Sequence, residues 1–221
     1  MLVTTCLAKY TVRVKTEFIL SAASAVHHAI LAHESEIESL DRAIGDGDHY
    51  INMKRGCATV LSMRDELATF APDAALQRIG MKLLSTIGGA SGPLLASFFI
   101  AMAKTAGEKG AETLPQIAAA FAAGVEAIRM RGKADIGEKT MLDVLIPVAR
   151  TFVELTAQGV EPDCLLAAIR QQAEQGMLAT RDIIATKGRA ASLGERAIGH
   201  IDPGAKSCQI MITAVCDLIA A

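Results

Sequence analysis

The chain has 221 residues, of which 51% are hydrophobic but only 4% aromatic, with 39 alanines and no tryptophan. This composition favours α-helix and argues against an all-β fold, because alanine is the strongest helix former and aromatic side chains are enriched in strands. Lys and Arg total 22 against 24 Asp and Glu. No basic run occurs, so the electrostatic footprint of a nucleic-acid-binding protein is missing.

Apolar residues recur at helical spacing along most of the chain, and the breaks in this pattern coincide with clusters of glycine, proline and aspartate. The pattern predicts about eight helices. The periodic segments cover residues 16–33, 35–40, 52–67, 72–87, 94–105, 114–129, 139–156, 162–184 and 205–219. There is no internal repeat or linker. We therefore expect an all-α bundle of antiparallel amphipathic helices and one domain over residues 1–221, with residues 1–15 as a loosely ordered extension.

Four glycine-bearing breaks separate predicted helices, at 45–48, 88–92, 131–138 and 186–204. If consecutive helices run up and down with short connections, alternate breaks meet at one end of the bundle. We expect the functional site at that end.

The first of these breaks belongs to an acidic segment with the sequence Gly-Asp-Gly-Asp-His. Asp41, Asp46 and Asp48 fall within eight residues. Carboxylates about 4 Å apart repel by ~4 kcal/mol per pair at an effective dielectric near 20, so their convergence needs a cation. All-oxygen ligands indicate Mg²⁺ or Ca²⁺, and an EF-hand is excluded because Cys57 stands where its glutamate is needed. A solvated turn that caps the next helix is the alternative.

The second break, Gly88-Gly89-Ala90-Ser91-Gly92-Pro93, precedes a strongly apolar helix. Small residues let backbone N–H groups approach an anion, and a helix N-terminus adds a favourable dipole, so a phosphate can sit here. The loop is not a Walker loop, since no Gly-Lys-Ser/Thr follows. Taken alone, a tight turn before a helix with proline in its first turn is the simpler explanation.

The other two breaks combine glycines with charged residues. The segment from Gly132 to Met141 leads into a helix, and taken alone it is explained by that helix start. The segment 187–205 contains Arg189, and arginine favours bidentate phosphate contacts, although surface ion pairing is the simpler account. No serine or cysteine stands beside a histidine, so hydrolysis by a nucleophilic triad is unsupported.

The longest strongly apolar stretch, residues 94–103, is well short of the roughly 20 residues that span a bilayer. The five cysteines form no C-x-x-C pair, and the amino terminus lacks the basic flank and apolar core of a secretory signal. We expect a soluble, cytoplasmic protein with reduced thiols and no membrane association.

Taken together and in order, four motifs resemble the nucleotide-binding subunit family of the dihydroxyacetone kinases. They lie at 41–53, 88–93, 139–143 and 188–204, and the resemblance covers roughly residues 36–208. The family includes the L subunit of the phosphotransferase-dependent enzyme and the carboxy-terminal domain of the ATP-dependent one. The resemblance implies a barrel of eight antiparallel helices, with the nucleotide and two Mg²⁺ ions held by loops at one end.

The resemblance also implies roles for single residues. Asp41, Asp46 and Asp48 match the magnesium ligands. The implied nucleotide contacts, from the phosphates to the adenine, are His49, Asn52, Ala90, Ser91, Gly132, Met141, Arg189, Asp202, Pro203 and Gly204. No catalytic residue is assigned to this chain beyond support of the transition state by Arg189.

The resemblance implies that the chain holds ADP or ATP with Mg²⁺ for phosphoryl transfer to dihydroxyacetone on a partner subunit. In the phosphotransferase form, a phosphohistidine carrier subunit rephosphorylates bound ADP; in the other form, ATP exchanges. A homodimer is a further form of assembly left open. A kinase component for a four-carbon ketose and a non-catalytic ADP-sensing regulatory module are the alternatives. A D-x-D-x-T phosphatase is the weakest, because Tyr50 stands at the threonine position.

Three places depart from the family pattern: Tyr50, Lys133 and Asp135-Ile136. Since Tyr50 adjoins the implied phosphate site in sequence, we expect it to alter access to that site or the surface offered to a partner.

Overall fold

The computed structural model describes residues 14–221, and all regular structure within this range is helical. The α-helices in the described range are α1 (Thr16–Ala32), α2 (Glu34–Ile44), α3 (His49–Ser62), α4 (Arg64–Leu67), α5 (Pro72–Thr86), α6 (Ser91–Lys109), α7 (Leu114–Gly132), α8 (Leu142–Ala157), α9 (Pro162–Ala179) and α10 (Pro203–Ala220). Two 3-10 segments, Thr180–Asp182 and Arg189–Ala197, lie between α9 and α10. The all-α prediction is confirmed, while most of the predicted extension, residues 1–13, lies outside the described residues.

Eight of the helices form a closed ring. Helices α1, α3, α5, α6, α7, α8, α9 and α10 pack against one another in this order, and α10 packs back on α1. The short helices α2 and α4 lie beside the ring, α2 against α3 and α10, and α4 against α1 and α3. The connections between successive ring helices therefore alternate between the two ends of the barrel.

Several helix starts are fixed by local sequence. Thr113 caps α7 in a reciprocal pair with Gln116, whose backbone N–H donates to the threonine hydroxyl oxygen. Asp202 caps α10 by accepting a 2.7 Å hydrogen bond from the backbone N–H of Ala205. Pro203 then occupies the first helical position, where a missing N–H costs nothing. These caps define where the connections end and the helices begin.

The largest core cluster lies between α7, α8, α9 and α10, and a second fills the space between α1 and α3 to α6. Close helix approach in the large cluster depends on small residues. A Cβ at Gly124 would lie 2.6 Å from the Phe98 ring, and one at Gly176 would lie 2.3 Å from the carbonyl oxygen of Asp143. Pro147 supplies no N–H to that carbonyl, so the chain of α9 can pack against it.

Several predicted helix boundaries are wrong by three residues or more. Helix α3 begins at His49 instead of 52, α6 at Ser91 instead of 94, and α9 ends at Ala179 instead of 184. Helix α8 begins at Leu142 instead of 139, because Lys139 has a positive φ of 61° that a helix cannot contain. In each case polar or glycine-rich residues belong to a helix end or to a structured turn.

None of the helices in residues 14–221 combines the length and apolar character that crossing a bilayer requires. Within the same range, Cys57, Cys164, Cys208 and Cys216 are free thiols. Cys6 lies outside the described residues.

Candidate functional site

A cavity of about 630 Å³ opens at the end of the barrel where four connections meet. These are the connections α2–α3, α5–α6, α7–α8 and α9–α10, which contain the four glycine-bearing breaks. All the residues singled out from the sequence line it: Asp41, Asp46, Asp48, His49, Asn52, Ala90, Ser91, Gly132, Met141, Arg189, Asp202, Pro203 and Gly204. The structure thus brings the four segments together, and the binding roles of these residues remain predictions.

Three carboxylates form one wall of the cavity. One oxygen from each of Asp41, Asp46 and Asp48 lies within 4.8 Å of the others. Asp41 is buried and oriented by the backbone N–H of His49, which donates to its Oδ2 at 2.9 Å, whereas Asp46 and Asp48 are exposed. A Cβ at position 45 would lie 1.8 Å from Asp41 Oδ1, so only Gly45 lets that carboxylate stand where it does. The arrangement suits a hard cation that takes oxygen ligands.

His49 and Asn52 lie on the first turn of α3, beside the carboxylates. The Nε2 atom of His49 is 3.0 Å from the hydroxyl of Ser207, a fully buried residue on α10. Burial lowers the pKa of His49, against the opposing effect of the Asp41 and Asp48 carboxylates. Asn52 is also buried, and its Oδ1 accepts a long 3.4 Å hydrogen bond from Arg55. Both side chains are therefore held by neighbours and face the cavity.

The α5–α6 connection provides the second wall. Ala90 precedes the first residue of α6, Ser91, so the free backbone N–H groups of this helix start border the cavity. Gly89 has a positive φ of 63°. A Cβ at Gly92 would lie 2.3 Å from the carbonyl oxygen of Ile87, which fixes the glycine there. The turn can present N–H groups and a helix dipole to an anion.

The far side of the cavity is apolar and comes from α6, α7 and the start of α8. Leu94, Ile128, Met141 and Leu142 line it together with Gly132. Ile128 and Leu142 are each 1% exposed and belong to the largest core cluster. A flat heterocycle can pack against such a surface without leaving a buried polar group unpaired.

The 3-10 segment Arg189–Ala197 lies beside the wall formed by the three carboxylates. Its Ala190 and Ala197 pack on Ile44 at the end of α2. This contact brings Arg189 to the carboxylates, and its Nε lies 2.8 Å from Asp46 Oδ2. The arginine side chain is 76% exposed, so it is free to exchange this carboxylate for another anion.

Comparisons with known proteins identify the family of the chain. A family model described as the DAK2 domain matches residues 43–217. The chain belongs to the DAK2 domain family. This confirms the family predicted from the four motifs, and the match contains every candidate residue except Asp41.

This DAK2 chain is similar to subunits of dihydroxyacetone kinases and to a triokinase/FMN cyclase. It is 41% identical to the ADP-binding subunit DhaL of the PEP-dependent dihydroxyacetone kinase of Escherichia coli, over 83% of this chain and 88% of that one. It is 38% identical to the ADP-binding subunit DhaL of the PTS-dependent dihydroxyacetone kinase of Lactococcus lactis, over 86% of this chain and 91% of that one. The triokinase/FMN cyclase of Mus musculus is 30% identical over 86% of this chain, which spans 33% of that protein.

A solved structure of the dihydroxyacetone kinase from C. freundii, in complex with AMP-PNP and Mg²⁺, has the same fold. The TM-score is 0.72 at 22% sequence identity, and the match covers 99% of this chain. This chain spans 37% of the length of the solved one.

Sequence reasoning missed several residues that line the cavity of this DAK2 domain, namely Arg131, Lys139, Thr140 and Lys187. Asp143, which is 3% exposed, was likewise not assigned a role. Its two carboxylate oxygens accept hydrogen bonds from the backbone N–H groups of Gly137 and Thr140, at 2.6 and 2.7 Å. The signal available for Asp143 was its place in the motif Lys-Thr-Met-Leu-Asp.

Asp202 lies where α10 begins, between the cavity and the core. Burial raises the pKa of its carboxyl to about 7, although the backbone N–H of Ala205 and the charge of Lys139 act in the other direction. A Cβ at Gly204 would lie 2.9 Å from Asp202 Oδ2 and 3.7 Å from the backbone nitrogen of Met141. The glycine therefore keeps the floor of the cavity open at this point.

The expectation for Tyr50 is wrong. Its side chain is 3% exposed and lies in a core cluster with Ile30, Ile37, Met53 and Ile210, away from the cavity wall. Residue 50 follows His49 on a helix, so the two side chains point in different directions. Tyr50 therefore contributes to packing rather than to access.

The other two departures lie in the α7–α8 connection of the DAK2 domain. Lys133 has a left-handed backbone, with φ of 47°, a conformation that glycine adopts most readily. Asp135 lies 3.3 Å from Arg129 through its Oδ2, and its backbone N–H donates to Glu138. Both departures are accommodated within the connection, outside the acidic wall.

Proposed function

We propose that this chain is the nucleotide-binding subunit of a small-ketose kinase, which holds ADP or ATP with Mg²⁺ for phosphoryl transfer to dihydroxyacetone on a partner subunit. The observation that carries the proposal is the convergence of four separate segments on one cavity, acidic at one end and apolar at the other. A nucleotide with its metal has the same division, since the phosphates and cation are charged and the base is flat and largely apolar.

The chemistry of the donor set supports magnesium. Asp41, Asp46 and Asp48 offer three carboxylate oxygens within 4.8 Å, and Gly45 leaves the space that Asp41 needs. Mg²⁺ is usually bound by a few carboxylates and completed by phosphate oxygens and water. When bound, the metal neutralises charge on the phosphates of the donor. Two ions are proposed, as the family resemblance implies.

Residues at different places along the cavity bind different parts of the nucleotide. The N–H groups at Ala90 and Ser91 bind phosphate oxygens, and His49 and Asn52 flank them from α3. Arg189 supports the transferred group with a charged, forked donor. Gly132 and Met141 lie at the apolar end beside the base, and Asp202, Pro203 and Gly204 form the floor.

The form of the enzyme is proposed from the named relatives. The ADP-binding subunits of PEP- and PTS-dependent dihydroxyacetone kinases are 38–41% identical to this chain, against 30% for the triokinase/FMN cyclase. We therefore favour tightly held ADP that is rephosphorylated in place by a phosphohistidine carrier protein, with the sugar held by a separate subunit.

The nucleotide retained through purification tests this proposal. The purified chain is denatured in acid, and released nucleotides are separated by chromatography and counted per chain. The proposal predicts about one ADP per chain, which is lost on dialysis against EDTA and restored by ADP with Mg²⁺. A chain that holds no nucleotide and binds neither ADP nor ATP with Mg²⁺ would contradict it. Transfer to a four-carbon ketose but not to dihydroxyacetone would change the assigned sugar only.

A further inference from the structure

Lys139 opens the motif Lys-Thr-Met-Leu-Asp, and neither the family resemblance nor the proposed function gives it a role. It lies just before α8, is 1% exposed, and has a positive φ of 61°. An ammonium group is rarely buried to this extent unless its donors are satisfied, because burial of a charge is costly. A neutral side chain of the same length would fill the space equally well, so the charge requires its own explanation.

The ammonium of Lys139 is bonded to backbone carbonyls. Its Nζ donates to the carbonyl oxygens of Thr180 and His200, each at 2.5 Å, and lies 3.5 Å from that of Arg181. Three acceptors match the three donors of an ammonium group. Burial lowers the pKa of Lys139, while the carboxylates of Asp202, Asp182 and Asp143 favour its charged form at longer range.

These carbonyls belong to the two ends of one loop. Thr180 and Arg181 directly follow α9, and His200 lies two residues before Asp202, the cap of α10. Two backbone contacts join the same ends, from Gly199 N–H to the Arg181 carbonyl at 2.8 Å and from Asp202 N–H to Thr180 Oγ1 at 3.0 Å. Lys139, in the α7–α8 connection, thus bonds to both ends at once.

The loop between these ends carries the arginine of the site. Residues 182–198 include Lys187 and Arg189, both of which line the cavity. The middle of the loop is held by the packing of Ala190 and Ala197 on Ile44 and by contacts with Glu138. Thr186 N–H is 3.4 Å from the Glu138 carbonyl, and its hydroxyl donates to the Glu138 carboxylate at 2.8 Å. The exposed Arg189 has its carboxylate neighbour, Asp46, on a different connection. Its position therefore depends on the closed ends of the loop together with the packing of Ala190 and Ala197 on Ile44.

We propose that Lys139 is a positioning residue, whose ammonium closes both ends of the loop 181–199 and so holds Arg189 at the acidic wall of the cavity. Closure of the loop stands on the contacts alone. Its consequence for nucleotide binding rests on the proposed function.

Limited proteolysis tests the closure without any ligand. Trypsin can cut after Lys187, Arg189 and Arg196, and under native conditions the rate of cutting follows the population of the opened loop. Replacing Lys139→Met keeps the length of the side chain and removes the donors. Cleavage in the loop, followed by mass spectrometry, should become faster by about tenfold or more.

Val148→Ala is the matched control, because Val148 is buried in the core on the same helix, α8, and is not among the residues that line the cavity. It should lower the melting temperature without faster cleavage in the loop. Equal cleavage rates in Lys139→Met and wild type would overturn the proposal. If Lys139→Met does not fold, Lys139→Gln takes its place. This variant retains one NH₂ donor group, and its loop should be cut faster than the loops of wild type and Val148→Ala; a wild-type rate would overturn the proposal equally.

A double-mutant cycle tests the route to the nucleotide. Lys139→Met should weaken the affinity for ADP with Mg²⁺ in the wild-type background but have no further effect in Arg189→Ala, because the arginine that Lys139 positions is then absent. Equal losses in both backgrounds would show that Lys139 does not act through Arg189. If the wild-type chain binds no ADP, the proposed function fails, while the trypsin comparison still decides whether Lys139 closes the loop.

Discussion

The three carboxylates of the acidic wall have unequal roles before any ligand binds. Asp41 is buried and receives a backbone hydrogen bond, so it has a structural partner in the fold. Asp48 is exposed, and its side chain does not cap the helix that it precedes. Asp46 faces Arg189. Because like charges at this spacing repel, a change at Asp48 should affect the metal more than the fold.

Replacing Asp48→Asn should weaken the Mg²⁺-dependent affinity for ADP by about tenfold or more, because it removes one negative ligand from a set of three. Calorimetric titration of ADP, with and without Mg²⁺, measures the effect. Asp65→Asn is the control, because Asp65 is an exposed residue of α4, which follows the far end of α3. This variant should bind ADP as wild type does. Unchanged affinity in Asp48→Asn under both conditions would remove this residue from the metal site.

Asp202 makes stability depend on pH. Its pKa is raised to about 7 in the folded chain, against about 3.9 in an unfolded one. Between these values the folded chain binds more protons than the unfolded chain, so this group's contribution to stability falls as pH rises. Asp202→Asn retains a capping oxygen and has no charge to bury.

The stability of Asp202→Asn relative to wild type should therefore rise between pH 4.5 and pH 7.5, by about 1–4 kcal/mol. Urea unfolding of the nucleotide-free chains at several pH values measures the difference. A difference that stays constant across this range would show that the carboxyl titrates normally.

Arg189 should matter for activity and little for folding. Its ion pair with Asp46 is exposed, and such pairs contribute about 0–1 kcal/mol. The free energy of unfolding of Arg189→Ala should therefore lie within about 1 kcal/mol of the wild-type value. The rate measured with the partner subunit should fall at least tenfold, because the transferred group loses one charged hydrogen bond. Arg196→Ala, in the same 3-10 segment but off the cavity wall, is the control. Normal turnover of Arg189→Ala with its partner would contradict its role.

At the scale of helices and connections, sequence periodicity located each ring helix but not its polar ends. The start of α8 at Leu142 could not be predicted, since nothing in the pattern shows that Asp143 receives two N–H groups from the preceding turn. The start of α6 at Ser91 was missed because Ser and Gly are poor helix formers, although a helix tolerates them in its first turn. These ends are where tertiary contacts override propensity.

The α5–α6 connection gives a prediction at this scale. Gly92→Ala places a methyl group against the Ile87 carbonyl oxygen, so the turn must shift. We expect a loss of about 1–3 kcal/mol in the free energy of unfolding, as for other overpacked sites, together with weaker ADP binding. Gly107→Ala, farther along α6, meets only the Asp73 side chain and is the control. A Gly92→Ala chain with wild-type stability and affinity would show that the turn does not need glycine.

At the scale of the whole molecule, the closed ring of helices brings residues as distant in sequence as Asp41 and Gly204 to one cavity. Up-and-down connectivity was enough to predict that the four breaks meet. It could not show that Tyr50 faces the core, that Arg189 reaches Asp46, or that Lys139 is buried, because those contacts are set by helix rotation and packing. On the proposed function, the end of the barrel that holds the cavity is also where the acceptor on the partner subunit approaches.

Phosphoryl transfer to dihydroxyacetone, measured for the chain alone and with a dihydroxyacetone-binding subunit, tests the central claim most directly. With Mg²⁺ and a phosphoryl donor, either ATP or the phosphorylated carrier protein, the isolated chain should give negligible dihydroxyacetone phosphate. Adding the substrate-binding subunit should produce turnover that depends on Asp48 and Arg189. Robust turnover by the isolated chain, or none in the complete mixture despite bound ADP, would contradict the assignment as the nucleotide-binding subunit.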